Sequence, residues 1–251
     1  MSPKVTKLPA IADPTIDEVL DRFLDEQRER LADRTFRNYD DVVHLLRDCL
    51  NGYAYERLSK EETAFFERHF NAEGDDHREF CELFGPEKIL GELDHFLSYF
   101  MIRKVIAGED FVRAAGTVAR KLAKWLIANS YVVEDDAREV IEDVRATARD
   151  VPRAARAARL LVDAAVRLRV YPDELGDDDF HDFDHYTIAK VEPDAIWLDM
   201  WEPGPRRSTL GPIPVPQAAT KLLREGWDVS CALARVRGTW RMIDVANVYP
   251  R

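Results

Sequence analysis

Apolar positions in the first two thirds of the chain recur three and four residues apart, the spacing of one face of an α-helix. Ile16, Val19, Leu20, Phe23 and Leu24 form the first such stripe. It follows Thr15-Ile-Asp-Glu18, a capping box in which a hydroxyl and a carboxylate satisfy the open amides of a helix start. The spacing predicts a helix to about Ala32 and a second from Thr35 to Asn51, with Phe36, Tyr39, Val43, Leu46 and Leu50 inward and Gly52 as its stop. Ser59-Lys-Glu-Glu62 repeats the capping box ahead of Phe65, Phe66 and Phe70, and 71–77 reads as a polar loop. Pro86 suits the first turn of a helix reaching Ala107, which Gly108 ends. Another helix fits 110–129, with Phe111, Val118, Leu122, Trp125 and Leu126 as core candidates. Residues 134–150 carry acids in front and arginines behind, the order that a helix macrodipole favours. Asp150 and Pro152 predict a break there and the restart of a last Ala/Arg/Leu helix to about Val170.

At Tyr171 the pattern changes. The segment 171–184, YPDELGDDDFHDFD, has seven acidic residues and no basic one and reads as a solvated linker. Beyond it, short runs of β-branched and aromatic residues predict strands. Tyr186–Glu192 and Ala195–Trp201 form a hairpin about Pro193-Asp194, Leu210–Val215 a Pro-rich edge, and 216–224 a brief helix. Trp227–Val236 and Trp240–Val248 form a second hairpin about Arg237-Gly238-Thr239. Five short strands expose unpaired edges unless they close, which predicts a small five-stranded antiparallel β-barrel. The expected fold class is α+β in two domains: a leader over 1–14, an all-α helical bundle over 15–170, the acidic linker over 171–184 and the barrel over 185–251.

A chain of 251 residues, 46% hydrophobic and 33% charged, has the material for such cores and is neither collagen-like nor largely disordered. Its apolar stretches are interrupted by charge well before a membrane span is reached, and its start lacks the layout of a signal peptide, so a cytoplasmic protein with no membrane partner is expected. Cys49, Cys81 and Cys231 lie far apart, which predicts reduced core thiols and neither a disulfide framework nor a zinc finger. Gly-x-Gly-x-x-Gly, the phosphate-cradling Gly-x-x-x-x-Gly-Lys, His-Glu-x-x-His and Gly-x-Ser-x-Gly are all missing from the sequence. No catalytic residue, cofactor or metal ligand is assigned on that basis.

Charge sharpens the picture. The net −11 comes from 36 basic and 47 acidic side chains, but it is segregated: 16–96 holds 11 Lys/Arg against 22 Asp/Glu, while 145–169 holds seven arginines against two aspartates. Arg153, Arg156, Arg159 and Arg167 fall within one ~120° sector of a helix. Such a stripe tracks phosphates, because guanidinium forks grip them bidentately, and these four are the candidate nucleic-acid-binding residues. Pairing with the chain's own acids is the other use for it. Trp197 and Trp201 share one face of a strand. Facing out, they flank Asp199 as a stacking or peptide-binding platform, the candidate partner-binding site; facing in, they fill the core, as a small barrel asks of most of Trp197, Trp201, Trp227 and Trp240. Asp177, Asp178, Asp179, His181, Asp182, Asp184 and His185 crowd ligand types into nine residues, which opens a third reading, a metal-dependent enzyme built on 177–185.

Thr35-Phe-Arg-Asn-Tyr39 with Val43, Leu46 and Leu50, and later Val112–Val132 with Thr117, Leu122, Trp125 and Leu126, resemble the helical core-binding domain of tyrosine recombinases of the phage-integrase type. The resemblance implies a helical domain that clamps DNA with basic helix faces. It stops at the clamp: the family's catalytic domain needs two arginines, a lysine, a His-x-x-Arg element and a tyrosine nucleophile further on, and the only His-x-x-Arg here is His44-Leu-Leu-Arg47, inside the second helix. The C-terminal part resembles small Src-homology-type or Tudor-like barrels, which more often bind than catalyse. The expectation is a non-enzymatic intracellular binding or adaptor protein for a macromolecule, possible nucleic-acid association running through the helical domain. A protein–protein module with no nucleic acid is the alternative.

Overall fold

The computed structural model describes residues 9–105, 108–170, 176, 179–200 and 208–250. The chain is α+β, with helices first and a five-stranded antiparallel sheet after them. It forms two compact units: residues up to Phe100 with Ala114–Ala146, and Met101–Arg113 with Thr147 onward.

The first unit is helical. Helix α1 (Ile16–Arg28) and helix α3 (Lys60–Phe70) both start on the capping boxes legible in the sequence. In the first, the Thr15 amide donates to Glu18 Oε2 at 2.9 Å while the Glu18 amide donates to Thr15 Oγ1 at 3.3 Å. Between them runs α2 (Asp33–Tyr53); α4 (Phe80–Leu83) and α5 (Glu87–His95) follow. The long helix expected from Pro86 instead gives way after α5 to a π-turn at Phe96–Phe100, with Phe96 and Phe100 stacked at 6.1 Å, before α6 (Met101–Arg103) resumes. The wider π-turn carries three bulky residues inward together, Phe96, Leu97 and Phe100. In the core, Phe23 lies 5.5 Å from the ring of Trp125 on α7 (Glu109–Ala128), and Trp125 Nε1 donates to Glu26 at 2.9 Å.

The restart expected at Pro152 does not occur: α8 runs unbroken over Glu134–Leu168 with Pro152 inside it. An interior proline forfeits one hydrogen bond and costs roughly 3 kcal/mol. Here the surrounding run is rich in alanine and arginine, strong helix formers, and Asp150 lies between Arg149 at 3.0 Å and Arg153 at 3.8 Å. The helix therefore carries through.

In the second unit β1 (Phe180–Glu192), β2 (Ala195–Met200), β3 (Ser208–Pro214), β4 (Asp228–Val236) and β5 (Thr239–Tyr249) stand in the order β3-β2-β1-β4-β5, every pair antiparallel. A short α9 (Gln217–Thr220) joins β3 to β4. Both expected hairpins form with two-residue turns, Glu192 pairing Ala195 and Val236 pairing Thr239. Asp194 (φ 67°), Arg237 (φ 52°) and Gly238 (φ 80°) all take the left-handed conformation. Two such residues in succession give the turn whose twist matches that of the strands. Strand β1 starts at Phe180, earlier than the Tyr186 expected, so the end of the acidic segment is part of the sheet.

The sheet does not close into the expected barrel among the described residues: β3 and β5 are its two edges, and although their Cα atoms come within 8 Å no ladder joins them. Helix α8 shares the core instead. Ala154, Ala157, Leu161 and Ala165 belong to one buried cluster with Ile188, Ile196, Leu198, Ile213, Val229, Leu233 and Val248. Apolar edge surface is thus covered by a helix, which removes the need for closure.

Candidate functional site

Along α8 the inward positions 154, 157, 158, 161 and 165 occupy one face. At 100° per residue the arginine sector lies on roughly the opposite side, so the sheet's core fixes which way the stripe points. Arg156, Arg159 and Arg167 are exposed and Arg153 is half-buried. Arg153 faces Asp150 and Arg159 is ion-paired with Glu109, whereas Arg156 and Arg167 have no carboxylate partner among the described residues. The stripe is therefore half neutralised by its own unit and half open. That unit has 18 Lys/Arg and 18 Asp/Glu, so the whole net charge of −11 belongs to the other.

Trp197 stands on the sheet face away from the core, because its neighbours Ile196 and Leu198 are the buried ones. Lys190 Nζ sits 4.8 Å above its ring, and Gly211 approaches the indole so closely that no room is left for a Cβ. Trp201 lies outside the described residues. Trp227 is in the core, and Trp240 is half-buried between His181, 4.8 Å away, and Arg235, 5.0 Å away.

The acidic segment spreads its ligand types apart. His181 stacks on Trp240, Asp179 pairs with Arg235 at 3.7 Å, and Asp182 and Asp184 each accept from the following amide at 2.7 Å. Among the described residues no three His, Cys, Asp or Glu side chains gather to hold a metal ion; Asp177 and Asp178 lie outside those residues. In the His44-Leu-Leu-Arg47 element the two side chains serve the helices themselves. Arg47 binds Asp17 at 3.0 Å and also Asp21, both on α1, and His44 Nδ1 contacts the Asp40 carbonyl at 2.8 Å. Burial raises the Asp17 carboxyl above its ordinary range, which Arg47 opposes and Glu82 and Asp21 reinforce.

One cluster has no counterpart in the sequence reading. Within the sheet-bearing unit, a cavity of about 580 Å³ opens among α6, the start of α7, the middle of α8 and the end of β5. Its apolar wall includes Met101, Val112, Val151, Ala158 and Val248, all buried. Arg103, Lys104 and Arg159 line it as exposed cations. Arg103 is anchored: its guanidinium lies 4.7 Å over the Tyr249 ring and its Nη2 donates to His185 Nε2 at 3.3 Å. Glu109, the one carboxylate in the lining, would be raised by its burial, but hydrogen bonds and charge from Arg159 and Arg113 hold it below the ordinary glutamate range. An acid so engaged is a poor proton carrier. The cluster draws on positions 103, 104, 109, 159, 185 and 249, and only the adjacent Arg103-Lys104 pair hints at it in one dimension.

No family model, no curated protein and no solved structure matches this chain.

Proposed function

We propose that this chain is a binding protein that holds a polyanion, nucleic acid in the first instance, on the arginine face of α8. The α8–sheet unit, with its rolled, barrel-like sheet, serves as the scaffold. The observation that carries this reading is the placement of Arg153, Arg156, Arg159 and Arg167 opposite the helix face that is locked into the sheet's core. The row spans about 21 Å at 1.5 Å per residue, long enough to meet several phosphates. Its binding is non-catalytic on this reading: the cations there grip, two of the carboxylates beside them, Asp150 and Glu109, are occupied by arginines, and the third, Asp163, stands exposed within the same sector.

The test is titration of duplex and single-stranded DNA against salt, with Arg156→Ala plus Arg167→Ala as the variant. Losing two duplex phosphate contacts lowers the slope of log K against log salt by about 1.8. No binding at low salt, or a slope the double variant leaves unchanged, refutes the reading. A second reading, protein–protein association, is favoured by the outward, half-buried Trp197 with Lys190 on its ring. It predicts a partner captured by the wild type and lost with Trp197→Ala, while the α8 double variant has no effect.

A further inference from the structure

We infer that the cavity between α6, α7, α8 and β5 binds an amphipathic anion, an apolar chain ending in a carboxylate or phosphate. Two properties of one space lead there. Its volume, about 580 Å³, falls in the range of small-molecule sites, and its wall is built from buried valine, alanine and methionine side chains. Its charged groups are Arg103, Lys104, Arg159 and Glu109; with Arg159 paired to Glu109, Arg103 and Lys104 remain as cations with no carboxylate in the lining to match them.

A small polar anion would leave the apolar wall wet, and a plain hydrocarbon would gain nothing from the cations. A chain with a charged head uses both. Lys104 has no ion-pair partner among the described residues, and the Asn247 side-chain amide, also in the lining, has no hydrogen-bond partner among them. Arg103 is held in place by Tyr249 and His185, so the head group meets a guanidinium already oriented. The inference shares Arg159 with the arginine row but is tested separately from it, because neither Arg156 nor Arg167 lines the cavity.

The experiment is calorimetric titration of the full chain with decanoate, octanoate, decyl phosphate and decanol, alongside NMR of methyl-labelled methionine. Expected are one site for decanoate and a roughly fifteenfold loss on going to octanoate, about fourfold for each methylene no longer buried. Decanol should bind at least tenfold more weakly than decanoate, and the Met101 methyl should shift on binding. The decanoate and decyl phosphate arms tell which head group is preferred; either preference supports the site. Arg103→Ala with Lys104→Ala should cut the anions' affinity about tenfold or more and leave decanol unchanged. Ala155→Phe, placed in the lining, should weaken all of them. No heat and no Met101 shift with decanoate, or decanol binding as tightly as decanoate, overturns the proposal. So does full affinity in Ala155→Phe with its helix content intact. The salt titration of DNA binding with the Arg156/Arg167 variant is unaffected by any of these results.

Discussion

Adjacent alanines on α8 should respond oppositely to the same enlargement. Ala157 is fully buried in the cluster shared by helix and sheet, and it lines none of the three cavities described along α8. Ala157→Leu forces three extra carbons into packed space, and overpacking of this kind costs about 1–3 kcal/mol. Ala158 is almost as buried, but it lines the 580 Å³ cavity. The leucine of Ala158→Leu has somewhere to go. At about 0.8 kcal/mol per methylene removed from water it is neutral or stabilising by up to about 2 kcal/mol. The two variants should therefore differ by about 1–5 kcal/mol, far more than their shared chemistry would suggest. Urea denaturation followed by tryptophan fluorescence reads the relevant unit, since four of the five tryptophans come after Thr147 and Trp227 is within the sheet's core. Equal destabilisation by the two variants, or an Ala157→Leu within about 0.5 kcal/mol of wild type, would refute the packing of α8 against the sheet. The orientation of the arginine row would fall with it.

Two more outcomes follow from the buried and paired groups. Cys49, Cys81 and Cys231 are all buried, and burial lifts their thiols, Cys49 to about 12, so little thiolate forms at neutral pH. A thiol reagent should label none in native protein and three in denaturant; rapid native labelling of any would contradict the core. Burial would raise Glu62, but hydrogen bonds from Lys88, 2.6 Å away, and from Ser59 hold it below the ordinary 4.5. Its contribution is therefore complete above pH 4.5 and is lost as pH falls through the lowered folded value. Glu62→Gln should cost about 0.5–1 kcal/mol at pH 7, and the gap should close in acid; a gap independent of pH would exclude the ion pair as its source.

The elements that the sequence revealed are those decided within a few residues. Both capping boxes close within three positions, and both hairpin turns are set by Asp194 and by Arg237-Gly238. What it hid depends on distant partners. Pro152 looks like a break because the local cost is visible and the support of Asp150, Arg149 and Arg153 is not. The start of β1 was masked by acidic composition, yet Asp182 and Asp184 are exposed there and each accepts from its neighbour's amide, so charge did not oppose a strand. A closed barrel followed from the edge-strand argument in the absence of a known cover, and the cover is the alanine face of α8, some 20 residues upstream of the sheet by sequence. Alanine carries too weak a hydrophobic signal to announce that role. The stripe of arginines was legible because it is periodic in one helix; the Arg103 cavity was not, because it assembles from segments more than a hundred residues apart.

Whole-chain charge is a poor guide to what α8 attracts. At physiological salt the screening length is about 8 Å, so a phosphate beside the helix feels the side chains within reach and little of a distant total. The unit that carries the arginine row of α8, from Thr147 onward, is neutral by count, and its acids are concentrated in 171–184. Along the row itself Arg153 and Arg159 share their charge with Asp150 and Glu109, so a phosphate must compete with a carboxylate at those two positions. At Arg156 and Arg167 no ion pair stands in its way among the described residues, although Asp163 shares their sector one turn before Arg167. Binding at an already paired arginine exchanges one ion pair for another and gains little, whereas binding at an unpaired one releases a counterion from the nucleic acid with nothing surrendered by the protein. If a polyanion binds this face as proposed, its energetic centre is therefore the pair 156 and 167, although the spacing of the four gives them equal standing.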